Sequence, residues 1–301
     1  MRWFKIFILC MSLGITVMSC DTKPQHADTL TVGTIDISAD EAFQPIIEAQ
    51  KKVFDSSWPE AKITIHYKSE SECFKDYFDN KARIILVTRD LTKVEKDLCE
   101  QKQIFPVALP LAREGIAVIV NKESPDTMLD MPALKGILGG IYKKKLTVVF
   151  DNQSSGILRY ITDSVLKGDT LGKNVFAAKG SQEVVDYVMK NPDAIGFVGL
   201  SYVSDSYDPG NTGTFINDVK VVHLLNDKTK EFLQPYQAYI ALRSYPLTRT
   251  LYYINRESYP GLGTGFANFL AAQRGQLIFF HSHLFPVRSE MVIRDVEINN
   301  K

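Results

Sequence analysis

Hydrophobic and polar positions follow two rhythms along this chain, and the rhythms take turns. Residues 29–37 (TLTVGTIDI) are β-branched with a period of two, which predicts a strand. Residues 39–54 then place Phe43, Ile46, Ile47, Val53 and Phe54 on a common face at helical spacing. The order repeats with a strand over 63–67 (ITIHY), a helix over 71–78, a strand over 82–87 (ARIILV) and a helix that opens at 88–92 (TRDLT) and runs to 102. The unbroken apolar run 115–121 (GIAVIVN) suits a strand covered on both faces. Beyond it, 146–150 (LTVVF) predicts a strand and 157–167 a helix with Leu158, Ile161, Val165 and Leu166 as its stripe and Gly168 as its stop. A helix over 183–189, strands over 194–203, 219–225, 236–242 and 251–254, and a long helix over 265–280 complete the pattern. Residues 204–214 (SDSYDPGNTGT) form the densest turn cluster and predict a loop. Strands alternating with helices predict an α/β fold with a predominantly parallel sheet, whose ligands sit beyond the carboxyl ends of the strands.

Length and composition narrow the class. At 301 residues the chain holds roughly two domains' worth of protein. With 45% hydrophobic and 23% charged residues it has material for a core, which excludes disorder and coiled coil. Basic and acidic residues number 35 each, so there is no basic field to collect nucleic acid.

The first residues change the address. A charged start is followed by the apolar run 6–17, about 18 Å long as a helix and too short to span a bilayer, so 1–19 reads as a signal peptide. Val17-Met18-Ser19-Cys20 resembles the lipobox of bacterial lipoproteins, which makes Cys20 the expected lipidated amino terminus of an extracytoplasmic, membrane-anchored protein. The alternative is a secreted protein cut elsewhere. Residues 20–28 (CDTKPQHAD) read as a tether. Cys73 and Cys99, outside a reducing cytosol, either pair or remain two separate buried thiols.

Candidate chemistry gathers at three strand-to-helix junctions: Ser38-Ala39-Asp40-Glu41, Thr88-Arg89-Asp90, and Asn152-Gln153-Ser154-Ser155-Gly156. Each is expected to open a helix, where unpaired amides and the positive end of the dipole favour an oxyanion and a hydroxyl adds a hydrogen bond. Gly156 lets backbone approach a ligand without a Cβ in the way. The same Ser and Thr residues also serve as plain N-caps in any α/β protein.

In this setting the chain resembles the PstS-like phosphate-binding proteins of bacterial ABC importers. The matching stretches are 82–92, 113–121 (REGIAVIVN), 152–160, 194–199 (AIGFVG), 245–249 (YPLTR) ahead of Leu251-Tyr252, and 261–270 (GLGTGFANFL), covering nearly the whole mature chain. The resemblance implies a two-lobed periplasmic-binding-protein fold with a ligand cleft between the lobes: lobe one from 29–112 and 234–301, lobe two from 113–233. It also implies phosphate or a similar oxyanion as ligand, the membrane subunits of an ABC importer as partners, a monomer, no enzymatic activity, and no metal or other cofactor. Carried over by position, the ligand would meet Ser38, Ala39, Asp40 and Glu41 loosely, and Thr88, Arg89, Ser154, Ser155 and Gly156 closely.

Three positions depart from the family pattern, two of them in charge. Arg83 stands where many members carry Asp, Asp151 where they carry Arg, and Ile157 replaces the usual closing Thr. The opposite signs suggest a charge swap in which Arg83 and Asp151 both face the ligand; the competing reading is a solvated or bridging pair. A carboxylate at the ligand accepts a hydrogen bond from protonated phosphate and repels fully ionised sulfate, and Asp40, Glu41 and Glu114 are the substitutes for that role. Two other classes stay open: an anchored interaction protein with altered or lost ligand, and a hydrolase built on Ser154-Ser155-Gly156. The second lacks a Gly-x-Ser-x-Gly elbow, and the five histidines are scattered.

Overall fold

Parallel pairing sets the layout. In the computed structural model, which describes residues 27–204 and 215–288, β1 (Gly33–Asp40), β2 (Ala61–Lys68) and β3 (Ile84–Val87) run side by side. Asp40 lies opposite Lys68 and Ala39 opposite Leu86, so the three carboxyl ends finish along one line. The predicted signal peptide, Cys20, most of the tether and the turn cluster at 205–214 lie outside the described residues.

The connecting helices are α1 (Gln44–Ser57), α2 (Glu70–Phe78) and α3 (Lys93–Gln101). β4 (Val107–Asn121) then crosses the whole molecule. It is followed by β5 (Met128–Leu129), α4 (Met131–Leu138), β6 (Thr147–Phe150) and α5 (Gly156–Ile161), which continues as a π-helical turn over Thr162–Leu166. Next come β7 (Val175–Ala177), α6 (Ser181–Lys190), β8 (Ala194–Gly199), β9 (Val219–Val221), β10 (His223–Leu225) and β11 (Phe232–Leu233). The described chain ends with α7 (Gln237–Ala241), β12 (Thr248–Asn255), α8 (Leu262–Ala271), α9 (Gln273–His281) and β13 (Phe285–Pro286).

The main sheet has the order β2-β1-β3-β12-β4-β8-β6-β7, with β9 and β13 also pairing with β4. β4 is its hinge line: 107–115 pairs antiparallel with β12, and Ile116 to Val120 pair antiparallel with β8. One half of the sheet is therefore built from both ends of the chain and the other from its middle. Ile116, Ala117, Val118 and Ile119 are fully buried, as expected for a central strand covered on both faces. Beneath the second half, Phe150 stacks on Phe197 with ring centroids 4.7 Å apart, which holds β6 against β8.

Local competition moved several boundaries. The helix expected from Thr88 begins at Lys93, because Thr92 and Glu95 form a reciprocal capping box and leave 88–91 as a loop. Ser38, Ala39 and Asp40 stay in β1, and a short 3₁₀ turn, Glu41–Phe43, precedes α1. In place of the strand expected over 236–242, the chain forms α7 (Gln237–Ala241): Ile240 donates to the Tyr236 carbonyl at 3.0 Å and Leu242 to that of Ala238 at 3.0 Å. The long terminal helix breaks at Ala272, whose extended backbone (ψ 168°) lets Phe269 and Phe279 both reach the core. Cys73 and Cys99 are free, buried thiols. Asp28 is no part of a solvated tether, since its carboxylate accepts from the Leu262 amide at 3.0 Å and pairs with Arg83.

Candidate functional site

The line of strand ends puts Asp40, Thr88 and Glu70 in one row on the first half of the sheet, facing Asp151, Gly156, Ser181 and Leu200 on the second. Three carboxylates from the first half reach across or along this row. Glu70, the first residue of α2, accepts from the Thr88 amide at 3.3 Å and from its hydroxyl at 3.0 Å. It also accepts from Arg159 Nε of α5 at 3.1 Å, so the pair spans the two halves. Glu41 accepts from the Ser181 amide at 3.0 Å, from the Ser181 hydroxyl at 3.0 Å and from Tyr202 at 2.7 Å. That places a carboxylate on the positive end of α6. Asp40 accepts from the Ala42 amide at 3.1 Å, while its Oδ2 makes no hydrogen bond.

At the centre is Arg249 of β12, buried and stacked 4.7 Å over the Phe43 ring. The antiparallel register sets it opposite Glu114 on β4, and its Nη2 lies 2.8 Å from the Glu114 carboxylate. Nη1 makes no hydrogen bond and sits 4.0 Å from Asp40 Oδ2. Glu114 is tied further by the Leu200 amide at 3.0 Å. Asp151 is fully buried at the end of β6, and neither of its oxygens has a hydrogen-bond partner.

Burial dominates the electrostatics. It pushes the Asp151 carboxyl up from 3.8 to about 6; the neighbouring Ser155 hydroxyl pulls it down and Glu41 adds to the rise. Burial also carries Asp40 well above the usual carboxylate range against the pull of Arg249, with Glu70 and Asp151 adding to the rise. Glu114 rises for the same first reason. For Arg249 burial alone would lower the guanidinium, and the surrounding Glu114, Asp40 and Asp151 raise it instead.

The expected residues divide accordingly. Asp40, Glu41, Thr88, Asp151, Ser155 and Gly156 come together, with Glu114 beside them. A Cβ placed on Gly156 would lie 2.5 Å from both Asp40 Oδ2 and Glu70 Oε2 and 2.8 Å from Thr88 Oγ1, so only glycine allows this approach. Ser155 caps α5 through the Leu158 amide at 3.0 Å. Ser154 is exposed and contributes its carbonyl, which accepts from the Ser71 amide at 3.4 Å. Ser38 points elsewhere, donating to Asp76 at 2.7 Å. Arg89 stacks 3.6 Å over Phe74 and pairs with Glu95 at 2.7 Å, lining a cavity of about 360 Å³ that opens beside Glu70 and Arg159.

Arg83 does not face this row. It stands before β3, at the opposite end of the strand from Thr88, donating to Asp28 at 3.2 Å and lying 3.4 Å from Glu257. Arg83 and Asp151 therefore do not exchange charges at one ligand, and the cation beside Asp151 is Arg249. Sequence reasoning missed Glu70, Arg159 and Arg249. Arg249 closed a stretch shared with the family, and that was its one available signal. Among the described residues no group of three or more His, Cys, Asp or Glu is arranged to hold a metal ion.

Residues 24–274 match the profile of a family described as PBP superfamily domain. Protein SphX of Synechococcus elongatus is 23% identical over 250 residues, 77% of this chain and 72% of that protein. The phosphate-binding protein PstS of Pseudomonas aeruginosa is 24% identical over 267 residues, 80% of this chain and 79% of that protein. Among solved structures, one described as a phosphate ABC transporter substrate-binding protein of Clostridium perfringens with bound phosphate superposes with a TM-score of 0.71 at 23% identity. It covers 85% of this chain and 100% of its own. That likeness shows the fold, the type II periplasmic-binding-protein architecture.

Proposed function

The chain belongs to the PBP superfamily, and from that premise we propose that it is an extracytoplasmic substrate-binding protein, anchored through acylated Cys20, that captures an oxyanion for an ABC importer. Inorganic phosphate is the first candidate, because the relatives at 24% identity are phosphate-binding proteins. The protein binds its ligand as a monomer and carries out no chemistry on it. The lobes of this reading are 29–112 with 234–301 and 113–233; the change of partner along β4, from β12 to β8 near Ile116, supports that division.

One observation carries the anion: the Thr88 amide, the Thr88 hydroxyl and the Arg159 guanidinium already converge on a single carboxylate. A site that holds one oxyanion by charge-assisted hydrogen bonds has the chemistry to hold another. Micromolar affinity needs about 8 kcal/mol, and hydrogen bonds to charged groups contribute about 1.5–3 kcal/mol each, so a handful of donors suffices. Five carboxylates around two guanidiniums favour a second reading, an anchored protein on the same fold with an altered ligand. Equilibrium dialysis with labelled phosphate decides between them. Saturable binding without turnover, abolished in Gly156→Val, supports phosphate capture; no binding either in a folded wild-type chain or in a folded Glu70→Ser chain, which frees the Thr88 and Arg159 donors, refutes it.

A further inference from the structure

We propose that Glu70 is the cleft's resident anion: it latches the two halves together without ligand and keeps an outside oxyanion from Thr88 and Arg159. The inference deepens the oxyanion reading and rests on it for the identity of the competitor.

The hydrogen bonds point to this role. Glu70 takes the Thr88 amide and hydroxyl on its own half, and Arg159 Nε at 3.1 Å and Nη2 at 3.3 Å on the other. Arg159 Nη2 also donates to the Thr88 hydroxyl at 3.0 Å, which closes the ring. Donors that would meet a tetrahedral oxyanion are thus already engaged, and the space over Gly156 is filled by Glu70 Oε2 and Asp40 Oδ2.

Helix formation does not require this carboxylate. Ser69 and Glu72 complete the capping box of α2 by themselves, with Ser69 accepting from the Glu72 amide and Glu72 from the Ser69 amide. An acidic residue in the first turn suits the dipole, yet that role would leave it in solvent, whereas Glu70 is 3% exposed. A buried carboxylate persists where it is paired and hydrogen-bonded, and its charged partner comes from the opposite half.

A second carboxylate repeats the arrangement independently. Glu41, also from the first half, occupies the Ser181 amide and hydroxyl at the start of the ten-residue α6 and the Tyr202 hydroxyl. In a two-lobed binding protein the ligand ordinarily supplies the bonds that draw the halves together. Here carboxylates of the chain supply them. Beside Glu70 lies the cavity of about 360 Å³ lined by Ser71, Phe74, Arg89, Ser154 and Arg159, which is where the side chain can swing when displaced.

The test is solution scattering and calorimetry on the whole chain as wild type, Glu70→Gln and Glu70→Ser, with and without inorganic phosphate. The expected wild type is compact without phosphate and unchanged by it. Glu70→Ser should expand, close again when phosphate is added, and bind phosphate at least tenfold more tightly. Glu70→Gln, which keeps the shape and an acceptor oxygen, should melt cooperatively and lie between the two. A wild type that is expanded and closes on phosphate overturns the proposal, as does a Glu70→Ser chain that stays compact even when Glu41→Gln is added to loosen the second tie, whatever it binds. A Glu70→Ser chain that opens yet takes no phosphate upholds the latch and refutes phosphate as the ligand.

Discussion

Asp151→Asn isolates the cost of keeping a carboxyl group at the centre of the cleft. Asp151 is fully buried, neither oxygen is hydrogen-bonded, and burial raises its carboxyl from 3.8 to about 6. A raised acid favours its neutral form in the folded state. Its contribution to stability is therefore complete below the unfolded value of 3.8 and is lost as pH rises through about 6. A tenfold change in proton affinity is worth about 1.4 kcal/mol, so ionised Asp151 destabilises the fold by about 3 kcal/mol at neutral pH. Asparagine has nearly the same shape and no charge. Urea unfolding of wild type and variant from about pH 4.5 to about pH 8 should show a small difference at the acid end, growing in favour of Asn to about 3 kcal/mol and then levelling. Glu114 titrates in both chains and largely cancels in the difference, whereas Asp40, which the Asp151 charge helps to raise, is relieved in the variant and adds in the same direction. A pH-independent offset would refute the reasoning. So would an Asn variant less stable than wild type at about pH 8, which would make Asp151 the working counter-ion of Arg249.

Three further outcomes are expected. Arg83→Gln should lower stability by about 1–3 kcal/mol, because it removes charged hydrogen bonds to Asp28, and should leave the ratio of phosphate to sulfate affinity in calorimetry unchanged; an altered ratio would return Arg83 to the ligand. Gly265→Ala places a Cβ 1.7 Å from the Leu30 carbonyl oxygen and should cost about 1–3 kcal/mol, with faster amide exchange around Thr29 and Gly33; unchanged melting would contradict that crowding. Cys20→Ser should release the protein from bacterial membranes into the soluble fraction, whereas membrane retention together with a lipid-free wild type by mass spectrometry would remove the anchor.

Elements whose formation is local were legible in the sequence. Alternating β-branched runs and helical stripes marked β1 to β3, α1, α2, β6 and α6 within a few residues, and Ser155-Gly156 marked the start of α5. Where two local signals competed, the reading slipped: Thr88 and Thr92 are both good caps, and the glutamate three residues after Thr92 decided for the second.

What a short window of sequence determines is which face of each element turns inward, because burial of apolar side chains at a period of 2 or about 3.6 is a property of neighbours along the chain. What only the tertiary structure decided is which charges meet. Arg249 and Glu114 lie 135 residues apart and face each other because of one antiparallel register. Glu70 finds Arg159 because two halves close on the line of strand ends. Arg83, at the wrong end of its strand, never reaches them. A charge carries no periodic signature of its own, and its partner, its burial and hence its protonation follow from the fold around it.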